Sequence, residues 1–397
     1  MKATLLASAA ALALAMPLSA NAQSVKIGVL LGYTGPIESL TPDMANGAEL
    51  ALTEASDSGN FLGGTVIEPV RADSTCVDSG AATAAAERLV TSDGVAAIMG
   101  ADCSGVTGAV LDAVAIPNGV AMISPSATSP AFTAKEDNGL FFRTAPSDAR
   151  QGDVLATALT AKGVGEVAVT YTNNDYGKGF ADAFSAAFEA AGGKVLATAA
   201  HEDGKADYSA EVGALSASGA PVLVVLGYVD QGGAGIVRAA LDTGAFDTFA
   251  FGDGMYGDSL TETFGSDIDG SIGTHPAAAG EGVAMFQALA EKAGFSGDGA
   301  YRGESYDAAA LLALAIQAAG GVDDRAAIAA KVMDVANAPG EKIMPGEIGK
   351  ALALIAEGKD VDYVGATGVE LIGPGEAAGA YREYEIKSGA FETTKLH

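Results

Sequence analysis

The sequence predicts an α/β protein made of two similar parallel-sheet lobes. Three observations carry that prediction. From Val25 onward, short β-branched apolar runs alternate with amphipathic segments of helical period, a pattern that folds as a parallel sheet with helices on its faces. The series restarts after Phe141-Phe142-Arg143-Thr144-Ala145-Pro146, which marks a second unit of the same make. The 397 residues also suffice for two domains of roughly 100–200 residues each.

In chain order, residues 1–22 read as a processing segment. Lys2 is their only charge, an apolar stretch runs from about Leu5 to Leu14, and Ala20-Asn21-Ala22 is a small-x-small cleavage site before Gln23. That stretch is too short to span a bilayer, so the expectation is a periplasmic chain cleaved after Ala22. Val25–Leu31 is then a strand, Met44–Asp57 a helix with Ala45, Ala48, Leu52 and Ala55 on one face, and Thr65–Ala72 a strand. A helix at Ser79–Thr91 and strands at Val95–Met99 and Val120–Ile123 continue the first unit. The second unit has strands at Val167–Tyr171, Lys194–Ala200, Pro221–Leu226 and Thr248–Phe251, with helices at Tyr176–Ala191, Tyr208–Ala217 and Gly235–Thr243. Ser271–Pro276 and Gly373–Ala380 read as returns between the units, and the helical region Val283–Glu357 as a return to the first. The expected division is therefore 23–146 plus 277–374 for one lobe and 147–276 plus 375–397 for the other. Two lobes joined by several crossings leave a cleft that can close by hinge motion.

Composition narrows the function. Lys and Arg total 22 against 50 Asp and Glu, a formal charge of −28. Nucleic acid and anionic lipid surfaces both require a basic face, so neither is an expected partner. The two cysteines, Cys76 and Cys103, each follow a strand-like run at the same sheet edge. An exported chain favours pairing them, with two free thiols as the alternative. They cannot make a zinc site with only three histidines in the chain, and no metal or cofactor is expected.

Enzyme signatures are missing. The chain lacks G-x-x-x-x-G-K-[ST], G-x-S-x-G and H-E-x-x-H, and His201, His275 and His397 are scattered among expected loops. Gly252-Asp253-Gly254-Met255-Tyr256-Gly257 matches G-x-G-x-x-G literally, but deep in the chain rather than after the first strand, so it carries no nucleotide site. An exported hydrolase would need a nucleophile and base that nothing here points to.

The informative residues lie just past apolar runs, at the strand ends where open α/β sheets bind ligands. Ala101-Asp102-Cys103-Ser104-Gly105 follows one run, and Ser124-Pro125-Ser126-Ala127-Thr128-Ser129-Pro130 follows the next. Ser104 also stands at an expected helix start, which suits either an anion or a simple cap. Tyr33, Tyr176, Tyr228 and Asp253 occupy comparable positions. Hydroxyls suit a carboxylate, an aspartate suits an ammonium, and aromatic rings can wall a side chain. Singly each reads as a cap or edge packing; together they describe a zwitterion site.

Several stretches carry a family resemblance: IGVLLGYTGP (27–36), GADCSGVTG (100–108), ISPSATSP (123–130), FFRTAPSDARQG (141–152), NNDYGKG (173–179), LGYVDQGG (226–233) and YDAAALLALAI (306–316). Their order and spacing resemble the leucine/isoleucine/valine-binding branch of the periplasmic binding proteins that feed ABC importers. The resemblance implies the type I fold, two Rossmann-like lobes joined by three crossing segments, and no catalysis. It implies that the Ser104 and Thr128 hydroxyls on the first lobe hold a ligand carboxylate, with Ser126 offering a backbone group beside them. On the second lobe it sets Tyr228 and Asp253 around the ammonium and Tyr176 as an aromatic contact. Cys76 and Cys103 match the family's disulfide positions. The expected partners are a small amino acid, apolar or branched, and ABC permease and ATPase subunits, for a monomeric binding protein. Two departures open an alternative ligand, an aromatic carboxylate or a small amide such as urea. Asp253 is one methylene shorter than the family's glutamate, and Leu40 stands where an aromatic covers the side-chain pocket. Tyr301 and Arg302 are further candidates for the cleft, where an arginine would accept a second carboxylate.

Overall fold

The computed structural model describes residues 24–277 and 280–397, so the expected processing segment and cleavage site lie outside the described residues. The first sheet begins with β1 (Ser24–Leu31), β2 (Val66–Asp73), β3 (Ala97–Gly100), β4 (Met122–Ser124) and β5 (Phe141–Arg143). The second begins with β6 (Glu166–Thr172), β7 (Lys194–His201), β8 (Val222–Leu226), β9 (Phe249–Phe251) and β10 (Ile272–Ala277). Within each set the neighbours run parallel, in the orders β2-β1-β3-β4-β5 and β7-β6-β8-β9-β10. The same doubly wound order occurs twice, and each has its reversal point beside the first strand, where a crevice opens at the carboxyl ends.

Strand composition follows from this burial. Val222-Leu-Val-Val-Leu226 is buried at every position, because helices cover both faces of a parallel sheet and polar alternation disappears. The remaining strands are β11 (Glu341–Ile343), β12 (Val361–Tyr363), β13 (Leu371–Ile372), β14 (Glu376–Ala377), β15 (Ala380–Lys387) and β16 (Ala390–Leu396). β13 and β14 extend the first sheet beyond β5, and β15 and β16 extend the second beyond β10.

Two details of the expected organisation change. Ser271–Pro276 is no connector: β10 is an inner strand of the second sheet, held by parallel β9 and antiparallel β15. The last crossing comes after β14, so residues 375–377, expected in the second lobe, stay with the first sheet through the pairing of Glu376 with Arg143. There the Arg143 guanidinium, 1 % exposed, bonds the Glu376 carboxylate at 2.5 Å, an ion pair that residue types alone do not reveal.

The helix Arg302–Ala319 is the core of the first lobe. Its residues 303–317 are all buried, and it packs along the helix Thr41–Asp57. Gly47 makes that contact close: a Cβ there would come 2.5 Å from the Arg302 carbonyl oxygen. Two of the three histidines are strand rather than loop residues. His201 ends β7 and His275 lies in β10, both buried, and burial lowers the His201 pKa to about 4.

Candidate functional site

The first-lobe side of the cleft is organised by Asp102. Its carboxylate accepts hydrogen bonds from the Gly32 amide, the Ser74 hydroxyl at 2.8 Å and the Cys103 amide at 3.0 Å. These bonds tie together the ends of β1, β2 and β3. Cys76 and Cys103 are joined in a disulfide that staples the same edge. Ser104 is thereby fixed in the first turn of the helix Ser104–Val110, where its hydroxyl accepts the Ser129 amide at 3.1 Å. Ser126 donates to the Asp102 carbonyl at 3.1 Å. Two hydroxyl-bearing loops thus meet at one edge through bonds made by their own backbones.

The second-lobe side is built on Asp253, 2 % exposed just past β9. The Tyr176 hydroxyl donates to one carboxylate oxygen at 2.8 Å and accepts the Gly254 amide at 3.1 Å. The Tyr176 ring stacks on Tyr228 with centroids 5.2 Å apart. The Tyr301 hydroxyl, carried by the first lobe, donates to the other carboxylate oxygen of Asp253. Burial pushes the Asp253 carboxyl pKa up, while the Tyr301 and Tyr176 hydroxyls pull it back.

Between these sides lies a cavity lined by Leu40, Ser104, Ser126, Tyr176, Tyr228, Asp253 and Tyr301, with Ile37 completing an apolar wall. The lobes are closed on it. Its open space of about 20 Å³ would admit roughly one water molecule, so a larger solute enters only when the lobes part.

Tyr33 is not among the residues on this cavity. Its ring faces the Arg71 guanidinium at 5.6 Å, and its hydroxyl is buried without a partner among the described residues. Arg302 also points elsewhere, bonded to the Asp43 carboxylate at 3.1 Å and to the carbonyls of Ser296 and Asp298. Thr128 is buried and is not among the residues that line this cavity. Its hydroxyl has no partner among the described residues, and its carbonyl accepts the Asp148 amide at 2.9 Å.

Asp148 was missed by sequence reasoning. It is fully buried, and neither carboxylate oxygen has a hydrogen-bond partner among the described residues. Its pKa is raised by burial and then by the neighbouring charge of Asp253, while the nearby Thr128 hydroxyl and the Arg143 guanidinium oppose the rise. The signal was present in Arg143-Thr-Ala-Pro-Ser-Asp148, but a carboxylate at a helix start reads as a cap until its surroundings are known. Two buried carboxyls this close do not both ionise readily, so Asp148 is pushed toward its neutral form beside Asp253. Ile37 and Asp102 also escaped sequence reasoning, one as an ordinary loop residue and the other as a loop acid.

The fold and this cleft define a two-lobed protein that encloses a small solute between the strand ends of its lobes. A profile of the periplasmic binding protein family matches residues 24–349, and the chain belongs to that family. It is 31% identical to Leu/Ile/Val-binding protein homolog 3 of Brucella melitensis over 80% of this chain and 85% of that one. Among solved structures, a leucine-binding protein LivK from Thermotoga maritima superposes with a TM-score of 0.76 at 25% identity, covering 94% of this chain and 98% of that one. A solute-binding protein of an R. palustris ABC transporter, solved in complex with 4-hydroxybenzoate, shares the fold with a TM-score of 0.75 at 20% identity, covering 94% and 97%. The type I periplasmic binding protein fold is thus the fold of this chain.

Proposed function

We propose that this protein is the periplasmic solute-binding component of an ABC importer and that it captures a small α-amino acid with an apolar or branched side chain. One observation carries the reading: Ser104 and Ser126 on one lobe and Asp253 on the other line one cavity walled by Ile37 and Leu40. A ligand carboxylate meets the hydroxyl loops of the first lobe (23–146 and the returning segment up to β14). Its ammonium meets Asp253 on the second lobe. Thr128 contributes once the lobes part and its hydroxyl turns to the ligand. Tyr176 and Tyr301 hold the Asp253 carboxylate in place, and the apolar wall takes the side chain. The names of the relatives, binding proteins for leucine, isoleucine and valine, support this class. In this reading the segment 1–22 is removed after Ala22, and the monomer delivers its ligand to separate permease and ATPase subunits without chemical change.

An aromatic carboxylate is the second reading. The stacked Tyr176 and Tyr228 rings favour it, as does an Asp253 already bonded by two phenols. A thermal-shift screen of the ligand-stripped protein decides between them. The panel holds apolar amino acids, hydroxybenzoates, dicarboxylates, amides and urea. A ligand at 100 times its dissociation constant stabilises by about 2.7 kcal/mol. Hits confined to α-amino acids are expected; a hit only among acids lacking an amine assigns the second reading.

A further inference from the structure

Outside the ligand cavity, Asp230 joins the two lobes at the cleft rim. Its backbone amide donates to the Pro36 carbonyl at 3.0 Å, and its carboxylate accepts the Ser39 amide at 2.8 Å. Both of those groups belong to the first lobe. The other carboxylate oxygen accepts the Ser259 hydroxyl at 2.9 Å, which comes from the same lobe as Asp230 and aims the carboxylate across the gap. The Ser39 and Ser259 hydroxyls approach to 3.3 Å, closing the ring of contacts.

We propose that Asp230 is the closure latch of this cleft and sets how long a bound solute is retained. The idea rests on the two-lobed binding reading but not on which solute is bound. Asp230 does not line the ligand cavity, so a change there removes no ligand contact. It is nevertheless coupled to the cavity through both loops it joins. Tyr228 lies two residues before it, and the Val229 amide bonds the Gly254 carbonyl at 3.0 Å, locking this loop to the one that carries Asp253. On the other side Leu40 follows Ser39 directly. Its side chain lies against Gly257, where a Cβ would come 2.8 Å from it. The latch forms only when both cavity walls reach their closed positions. An interaction made in only one of two conformations shifts the population toward that conformation. Here it shifts the lobes toward closed, and the solute leaves only after the latch opens. A charged acceptor on a backbone amide is among the stronger hydrogen bonds available for this purpose.

The test compares wild type with Asp230→Ala, Asp230→Asn and Ser39→Ala, using L-leucine and 4-hydroxybenzoate as separate probes. Dissociation is followed by stopped-flow tyrosine fluorescence. For whichever probe binds, Asp230→Ala raises the dissociation rate by about tenfold and leaves the association rate within about twofold. Asp230→Asn falls between it and wild type, and Ser39→Ala, which keeps the backbone amide and loses only the hydroxyl contact with Ser259, raises the rate less than Asp230→Ala. Equal dissociation rates in wild type and Asp230→Ala overturn the latch, as does an equal increase in Ser39→Ala. The melting temperature of each ligand-free variant separates loss of the latch from loss of the fold. If neither probe binds wild type, the solute class is wrong while the latch stays testable by amide hydrogen exchange in residues 36–40. Faster exchange in ligand-free Asp230→Ala than in wild type supports it, and identical exchange overturns it.

Discussion

Asp253 carries the sharpest residue-scale prediction. Its carboxylate is buried, bonded by hydroxyls from both lobes and faced by a second carboxylate. Asp253→Asn keeps the shape and removes the charge, so affinity for an α-amino acid should fall by about ten- to a hundredfold, read by titration calorimetry. Unchanged affinity would remove Asp253 from the ammonium site. Glu304 makes a different prediction. Burial pushes its carboxyl from the usual 4.5 up to about 8, with Asp307 adding to the rise and Arg382 opposing it. The folded protein therefore keeps Glu304 protonated while the unfolded chain ionises near the ordinary value. Its contribution to stability is full below about pH 4.5, declines as pH rises, and is lost by about pH 8. Glu304→Gln should remove that decline, on the order of a few kcal/mol of relative stability between pH 5 and 8.5, in urea melts at the two pH values.

At the scale of elements, the helix Arg302–Ala319 links the core to the cleft. Its first residues follow Tyr301, whose φ of 60° is left-handed, a conformation that costs a non-glycine residue about 1 kcal/mol or more. The bond from Tyr301 to Asp253 is made in that conformation. The position of the helix depends on Gly47, whose missing side chain admits the Arg302 carbonyl. Gly47→Ala would insert a methyl into that contact and push the two helices apart. The expected loss is about 1–3 kcal/mol, accompanied by weaker ligand binding because Tyr301 moves with the helix. A variant as stable as wild type would show that the helices adjust without cost. The sequence reads as helical over Val283–Glu357, but the partner of this helix is not legible there, since Gly47 reads only as a weak point in a helix until something approaches it.

For the whole molecule, the Cys76–Cys103 bridge ties the chain across a separation of 27 residues. Closing a loop of that size stabilises by about 3–4 kcal/mol in the chain-entropy model. The Cys76→Ser/Cys103→Ser double variant should lose that amount in denaturant unfolding. It should also bind more weakly, because Ser104 directly follows Cys103. A melt unaffected by the double variant would mean the sheet edge holds itself together through Asp102 alone.

The sequence by itself determined the two α/β lobes, because alternation of buried strands and amphipathic helices is a local pattern with a fixed period. It also pointed to most of the residues that line the interlobe cavity, since Ser104, Ser126, Tyr176, Tyr228 and Asp253 each follow an apolar run that must end at the carboxyl edge of its own sheet. Only the tertiary structure decided which strand-end residues meet. Tyr33 turned toward Arg71 and Arg302 toward Asp43, while Ile37 joined the cavity wall and Asp148 was buried near Asp253. The sheet positions of β10 and β14 were decided there as well, and so was the contact of Ser39 with Asp230, 191 residues apart. The physical reason is the same in each case. Burial period is written within a few neighbouring residues, whereas a side chain's direction beyond a strand end depends on loop conformation and on how two rigid lobes close against each other.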